Sequence, residues 1–223
     1  MTAGGPILVI DTATTRAVIA LGTADGSLVE ARSWEAGYRH GEELLARIEG
    51  LLAERSVAPA AIGGIVVGTG PGAFTGLRVG IATAKGLAHA LRAPIAGIST
   101  AEALLAAAPA GGVLVQPAGP SDRVVTRRGE APRILPGGTD PELAPGERLV
   151  AVDLAGRAPE AAVARGDAAR ERLGASLLAA GATRLAAGDG DDLARLVPEY
   201  TTLPRGVRSR LPDEAVEVSG GSG

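Results

Sequence analysis

The stretch Gly68-Thr-Gly-Pro-Gly-Ala-Phe-Thr-Gly76 constrains this chain more than any other feature. It follows the β-branched run Ile62–Val67, bounded by glycines, which reads as a buried strand. After it comes a helix that Thr75 would cap, running to about Leu91. Gly76, Gly80 and Ala84 recur every four residues along that helix, with Ala82, Gly86 and Ala90 on a neighbouring row. Small residues in rows let another backbone approach, and they offset the cost of glycine inside a helix, about 1 kcal/mol relative to alanine. A glycine-rich turn between a strand and a helix N-terminus is where phosphates bind. This one fails both standard fingerprints. Gly76 is followed by Leu77-Arg78 where a P-loop needs Lys-Ser/Thr. The Gly68-x-Gly70-x-x-Ala73 spacing lacks the carboxylate that a dinucleotide site needs at the next strand end, which reads Gly97-Ile98-Ser99. Pro71 also lacks a backbone donor. The bare reading is a rigid turn that delivers a closely packed helix.

The elements around this unit define a mixed sheet. Ile7–Asp11, Ala17–Leu21 and Leu28–Arg32 are apolar runs, and Asp25-Gly26 marks a hairpin, so the chain opens with a three-strand meander. His40–Arg55 is an amphipathic helix, with Leu44, Leu45, Ile48, Leu51 and Leu52 on one face. Ala93–Ile98 is a further strand, and Ser99-Thr-Ala-Glu102 is a capping box opening a helix to about Ala108. A meander followed by alternating strands and helices gives an α/β fold with helices packed on a mixed sheet. Pro109–Gly112 divides residues 1–108 from a smaller second lobe, residues 109–218. There, Val113–Val115, Val124–Thr126 and Leu149–Val152 read as strands, Pro132–Pro145 as loop, and Ala168–Ala180 and Asp191–Leu196 as helices. Residues 219–223, Ser-Gly-Gly-Ser-Gly, are a flexible tail.

Few residues could carry chemistry. Asp11 ends a strand and precedes Thr12, Thr14 and Thr15. It either holds a metal-bound phosphate or closes a turn through its own backbone, and the turn is favoured. His40 and His89 are the only histidines and lie on different helices, so no His-x-x-x-His pair is present and no metal ligand is assigned. There is no Gly-x-Ser-x-Gly elbow. The absence of cysteine excludes disulfides, thiolate metal sites and cysteine nucleophiles. A net charge of −3 disfavours strong binding of nucleic acid by this chain alone. With 2% aromatic residues it also lacks the stacking platforms of single-strand RNA readers. No apolar run approaches the ~20 residues that span a bilayer, and no signal peptide is seen.

Three segments together resemble one known family: Ile10-Asp11-Thr12-Ala13-Thr14, His40-Gly41-Glu42 leading into Leu44-Leu45, and Gly70-Pro-Gly-Ala-Phe-Thr-Gly-Leu-Arg-Val-Gly80. The third closely resembles the Gly-Pro-Gly-Ser-Phe-Thr-Gly-Leu-Arg signature of TsaB (YeaZ-type) proteins, with Ala73 in place of serine. Lys85-Gly-Leu-Ala88 and Gly97-Ile-Ser-Thr100 continue the match, which covers about the first 108 residues. Past Pro109 the chain departs from the pattern. Gln116-Pro-Ala-Gly119 stands where members have Asp-Ala-Arg, and only Pro198-Glu199-Tyr200 is similar to the late Pro-x-Tyr.

The resemblance implies an actin/Hsp70/sugar-kinase-like (RNase H-like) fold of two lobes, the C-terminal one reduced. It implies a cytoplasmic bacterial protein that is a homodimer in isolation and pairs with the catalytic subunit TsaD, joined by the ATPase TsaE. TsaD transfers threonylcarbamoyl to adenosine 37 of tRNA, using a metal held by a His-x-x-x-His pair. This chain would be a non-catalytic scaffold without cofactor, meeting tRNA only through the complex. Asp11, Thr12, Thr14, Gly70, Gly72 and Thr75 would form a vestigial phosphate site. His40, Glu42, Gly76, Arg78, Gly80, Thr83 and Ala84 are the candidate interface. One rival is an actin-fold nucleotide-dependent phosphotransferase with Asp11 on magnesium; the other, more strongly disfavoured, is a freestanding metallopeptidase.

Overall fold

The computed structural model describes residues 4–36 and 40–200, without the side chains of residues 40–42. The expected tail at 219–223 lies outside the described residues.

Strands β1 (Ile7–Asp11), β2 (Arg16–Gly22) and β3 (Leu28–Glu35) form the antiparallel meander. Strands β4 (Gly64–Gly68) and β5 (Ile95–Ile98) add parallel to β1, giving the order β3-β2-β1-β4-β5. This is the RNase H-like arrangement of the actin and sugar-kinase fold. Both faces of the sheet are covered, so its central strands are apolar throughout rather than alternating. Leu8, Ile10, Ile19, Ile65 and Val67 pack under helices α1 (His40–Glu54) and α2 (Phe74–Leu91). Their neighbours Ile7, Val9, Val18, Ala20 and Val66 face the opposite side, as a two-residue period requires. There they meet α3 (Thr100–Ala107) and α5 (Leu173–Ala186).

The second sheet is built from β6 (Gly112–Ala118), β7 (Asp122–Thr126), β8 (Arg133–Leu135) and β9 (Arg148–Ala151), in the order β8-β7-β6-β9. β6 pairs antiparallel with β7 and parallel with β9. That path repeats β3-β2-β1-β4. Helix α4 (Glu160–Glu171) packs on β9, while α5 returns to the first sheet. Residues 189–196 then follow the outer edge of β5. The Asp191 amide donates to the Ile95 carbonyl at 2.7 Å, and the Asp191 carboxylate accepts from the Gly97 amide at 2.6 Å. Leu193 and Leu196 join the core beneath α2.

Several local expectations need correction. Thr75 lies inside the first turn of α2; the residue at the cap position is Ala73, which has no side-chain acceptor. Ser99 does cap α3, accepting from the Glu102 amide. The Glu102 carboxylate turns away to the Gly129 amide instead of completing the box. Pro132–Pro145 contains β8, a three-residue edge strand flanked by prolines. Helix 168–180 is two helices that meet at Arg172. Residues 191–196 form a turn held by Asp192, without a helix.

Candidate functional site

The carboxyl ends of β1, β4, β6 and β9 open on one cleft of about 440 Å³. Strand ends of this kind are where α/β proteins place ligands. Ala13, Thr15, Gly72, Phe74, Gln116 and Asp153 are among the residues lining it.

Asp11 sits behind the cleft and has no solvent exposure. Its Oδ1 accepts from the Ala13 amide at 3.0 Å, and its Oδ2 from the Thr100 hydroxyl at 2.7 Å. The same hydroxyl accepts from the Gly70 amide at 3.1 Å. Burial pushes the Asp11 carboxyl up from 3.8 to about 6; the Thr100 and Ala13 hydrogen bonds oppose that rise, and the nearby charge of Asp153 adds to it. Thr12 donates to the Gly76 carbonyl of α2 and Thr14 to the Arg16 carbonyl of its own turn, so both hydroxyls hold backbone. Gly72 lies against the first hairpin, where any Cβ would stand 2.1 Å from the Ala13 carbonyl oxygen. The Ala73 amide donates to that oxygen, and the Pro71 carbonyl accepts from Gln116 across the cleft. Of the expected phosphate-site residues, Asp11 and Gly70 meet through Thr100, Thr12 holds the start of α2, and Gly72 packs on Ala13. Thr14 bonds within its own turn, and Thr75 is exposed on the first turn of α2.

The donors at the tip of the β1–β2 turn are also occupied. The Thr15 amide and hydroxyl both donate to the Asp153 carboxylate, at 2.9 and 2.7 Å. Arg170 of α4 pairs with the same carboxylate at 2.8 Å. Asp153 follows β9 with a left-handed φ of 59°, a conformation that aspartate tolerates better than most residues. A carboxylate from the second half thus sits where a hairpin would offer N–H and O–H groups to an anion. Both side chains of the pair are nearly nine-tenths buried, and removing one partner strands the other. Asp153→Ala is expected to lower unfolding free energy by about 3 kcal/mol, measured by urea titration. Neither Asp153 nor Arg170 was singled out from the sequence. The signal present was an aspartate just after the apolar run Leu149–Val152, matching Asp11 at the end of Ile7–Asp11.

The candidate interface residues divide. Gly76, Gly80 and Ala84 are buried and face the protein's own sheet, so they do not form an outer surface. A Cβ at Gly80 would stand 2.1 Å from the Thr12 hydroxyl. Thr83 is half-buried, and Arg78 is exposed. The Arg78 guanidinium lies over the Phe74 ring at 3.9 Å, and its Nε donates to the Tyr200 hydroxyl at 3.0 Å. Phe74 in turn packs on Tyr200, 5.2 Å between ring centres. The Phe-Thr-Gly-Leu-Arg stretch therefore anchors the far end of the described chain. The open row of α2 carries Ala82, Gly86 and Ala90, and a Cβ at Gly86 would meet nothing. The side chains of His40 and Glu42 lie outside the described residues. Among the described residues, no group of three or more His, Cys, Asp or Glu could hold a metal ion. No helix among them is long and apolar enough to cross a membrane.

Comparison with known proteins gives partial sequence matches and a shared fold. The model of the TsaD family, tRNA N6-adenosine threonylcarbamoyltransferase, matches residues 34–130, less than half of the chain. The tRNA threonylcarbamoyladenosine biosynthesis protein TsaB of Escherichia coli is 37% identical over 94 residues, 42% of this chain and 40% of that protein. The protein of the same name in Bacillus subtilis is 36% identical over 100 residues, 45% of this chain and 43% of that one. Over less than half of its length the chain is similar to the TsaB (YeaZ-type) family. YeaZ from Pseudomonas aeruginosa has the same fold, with a TM-score of 0.67 at 23% identity, covering 88% of this chain and 99% of that one. The aligned stretch spans less than half the length of the curated TsaB relatives. An uncharacterised protein of Mycobacterium leprae is 38% identical over 101 residues, which is 28% of its length.

Proposed function

We propose that the chain is a non-catalytic subunit of the bacterial machinery that places threonylcarbamoyl on adenosine 37 of tRNA, and that it acts by binding TsaD. The names of the E. coli and B. subtilis relatives support the process. Kinship with the TsaD family model supports pairing of like folds. The observation that carries the non-catalytic reading is Asp11, whose two oxygens are committed to Ala13 and Thr100 without solvent exposure. An acid that positions a metal-bound phosphate must reach it. Asp153 also occupies the Thr15 donors.

The docking face in this reading is the exposed row of α2. Ala82 and Gly86 let a second helix approach closely, and Arg78 borders them. The same face would serve the homodimer in isolation. TsaE would join the TsaD complex, and tRNA would be met only there, in keeping with the net charge of −3. Such a complex works in the cytoplasm. Ala82→Arg and Gly86→Arg place a bulky charge on this row without touching the core. Each is expected to keep a wild-type circular dichroism spectrum and lower affinity for TsaD at least about tenfold, read by calorimetric titration. Folded variants that bind TsaD as tightly as wild type would exclude this face.

A further inference from the structure

Residues 197–200 cross the start of α2 on a small set of contacts. Upstream of them the chain is well held: Asp191 is bonded to β5, Leu196 is buried, and the Leu196 carbonyl accepts from Lys85 at 3.3 Å. Beyond Leu196 the chain returns to the surface, with Val197 63% and Tyr200 37% exposed. Among the described residues, the hydrogen bonds to 197–200 all come from Thr69 and Arg78. The Glu199 amide donates to the Thr69 carbonyl at 2.8 Å, and the Thr69 hydroxyl donates to the Glu199 carboxylate. Arg78 donates to the Tyr200 hydroxyl, and the Tyr200 ring lies on Phe74. The receiving groups belong to the core framework. Thr69 directly follows β4, is buried, and donates its own amide to the Ile98 carbonyl at 2.9 Å. Phe74 and Arg78 stand on the first turns of α2, with the Arg78 guanidinium against the Phe74 ring. A surface segment with few buried apolar contacts opens at much lower free energy than the strand and helix beneath it. The seat is therefore fixed and its occupant detachable.

We infer that Thr69, Phe74 and Arg78 form a docking seat for an extended segment of a partner protein, one that carries a carboxylate side chain followed directly by a phenol. Residues 197–200 fill that seat until such a segment displaces them. The Thr69 carbonyl takes the amide of the acidic residue, as one rung of strand addition does. The Thr69 hydroxyl gives the carboxylate a charge-assisted hydrogen bond. The aromatic ring stacks on Phe74, and its phenol oxygen accepts from Arg78. The chain's own segment competes through its tether, which gives it an effective concentration in the millimolar range. Glu199 and Tyr200 also line the 440 Å³ cleft, so their displacement widens it. The seat lies at the N-terminal end of α2, apart from the Ala82–Gly86 row, so the inference does not rest on TsaD binding to that row.

The test uses the ¹⁵N-labelled full chain carrying both Glu199→Ala and Tyr200→Ala, two exposed side chains whose loss leaves the core intact. The probe is a peptide Leu-Val-Pro-Glu-Tyr with blocked ends, copied from residues 196–200. NMR titration is expected to give saturable shifts at the Thr69, Phe74 and Thr75 amides and at the Arg78 Nε–H. Alanine in place of either the Glu or the Tyr of the peptide should weaken binding at least about tenfold. The wild-type chain should bind the parent peptide at least about tenfold more weakly than the double variant, because its own residues compete. Adding Gly86→Arg to the double variant should leave peptide binding unchanged, which separates this seat from the face proposed for TsaD. No saturable shift with the double variant, equal binding of the alanine peptides, equal binding by the wild type, or loss of binding on adding Gly86→Arg would overturn the inference.

Discussion

Asp11→Asn is expected to fold, to be more stable than the parent at neutral pH, and to support TsaD-dependent modification as well as the parent does. Burial raises the Asp11 carboxyl from 3.8 to about 6, so the fold favours its protonated form. That contribution is complete below about pH 4 and is lost as pH rises through 6. A shift of about two units corresponds to about 3 kcal/mol at pH 7.5, the cost of holding the carboxylate ionised inside the protein. Asparagine removes that cost and still accepts from the Ala13 amide. It must donate to the Thr100 hydroxyl, which now gives its proton to Asp11 and accepts from Gly70, so about 1 kcal/mol is returned. The net gain is about 2 kcal/mol at pH 7.5, shrinking by about 2 kcal/mol at pH 4. Urea titrations of both proteins at the two pH values isolate this group, since other carboxylates titrate alike in each. A nucleotide-dependent phosphotransferase would instead lose its turnover on the same substitution.

The two glycine rows of α2 give the second large contrast. Gly80→Leu is expected to destabilise the protein by about 3 kcal/mol or more, because even its Cβ would fall 2.1 Å from the Thr12 hydroxyl. Thr12 cannot retreat without releasing the Gly76 carbonyl and disturbing the turn that holds Asp11. Gly86→Leu enters open space on the same helix. It is expected to stabilise the fold by about 0.5–1 kcal/mol, as replacement of a helical glycine does. Thermal unfolding of the pair reads both signs. Gly80→Leu melting at or above the parent would show that the inner row is not packed as described.

Those rows also mark where sequence reading stopped. The four-residue repeat of Gly76, Gly80 and Ala84 shows close packing but not its partner, because two neighbouring rows of the helix are equally small. The partner is Thr12, 68 positions away along the chain, and no local pattern links the two. The first sheet was legible because its central strands are buried on both faces and end in clear turns. In the second half, α4 carries Ala, Arg and Glu with little apolar periodicity, and β8 is three residues between prolines. The break at Arg172 has no proline to announce it, and Gly174 two residues on lies inside α5. Asp11 and the glycine loop were found by sequence, since both stand at strand ends. Asp153 and Arg170 complete the site from elements that only the repeated strand path, β8-β7-β6-β9 against β3-β2-β1-β4, brings into register.

The most direct measurement is threonylcarbamoyl transfer to tRNA by TsaD from the same organism, assayed with and without this chain after the two are co-purified. A non-catalytic partner predicts a stoichiometric complex, activity that requires the chain, and the same activity when the chain carries Asp11→Asn. Failure to form a complex, with transfer by TsaD unchanged by adding the chain, would contradict that role and leave a likeness to YeaZ of fold alone.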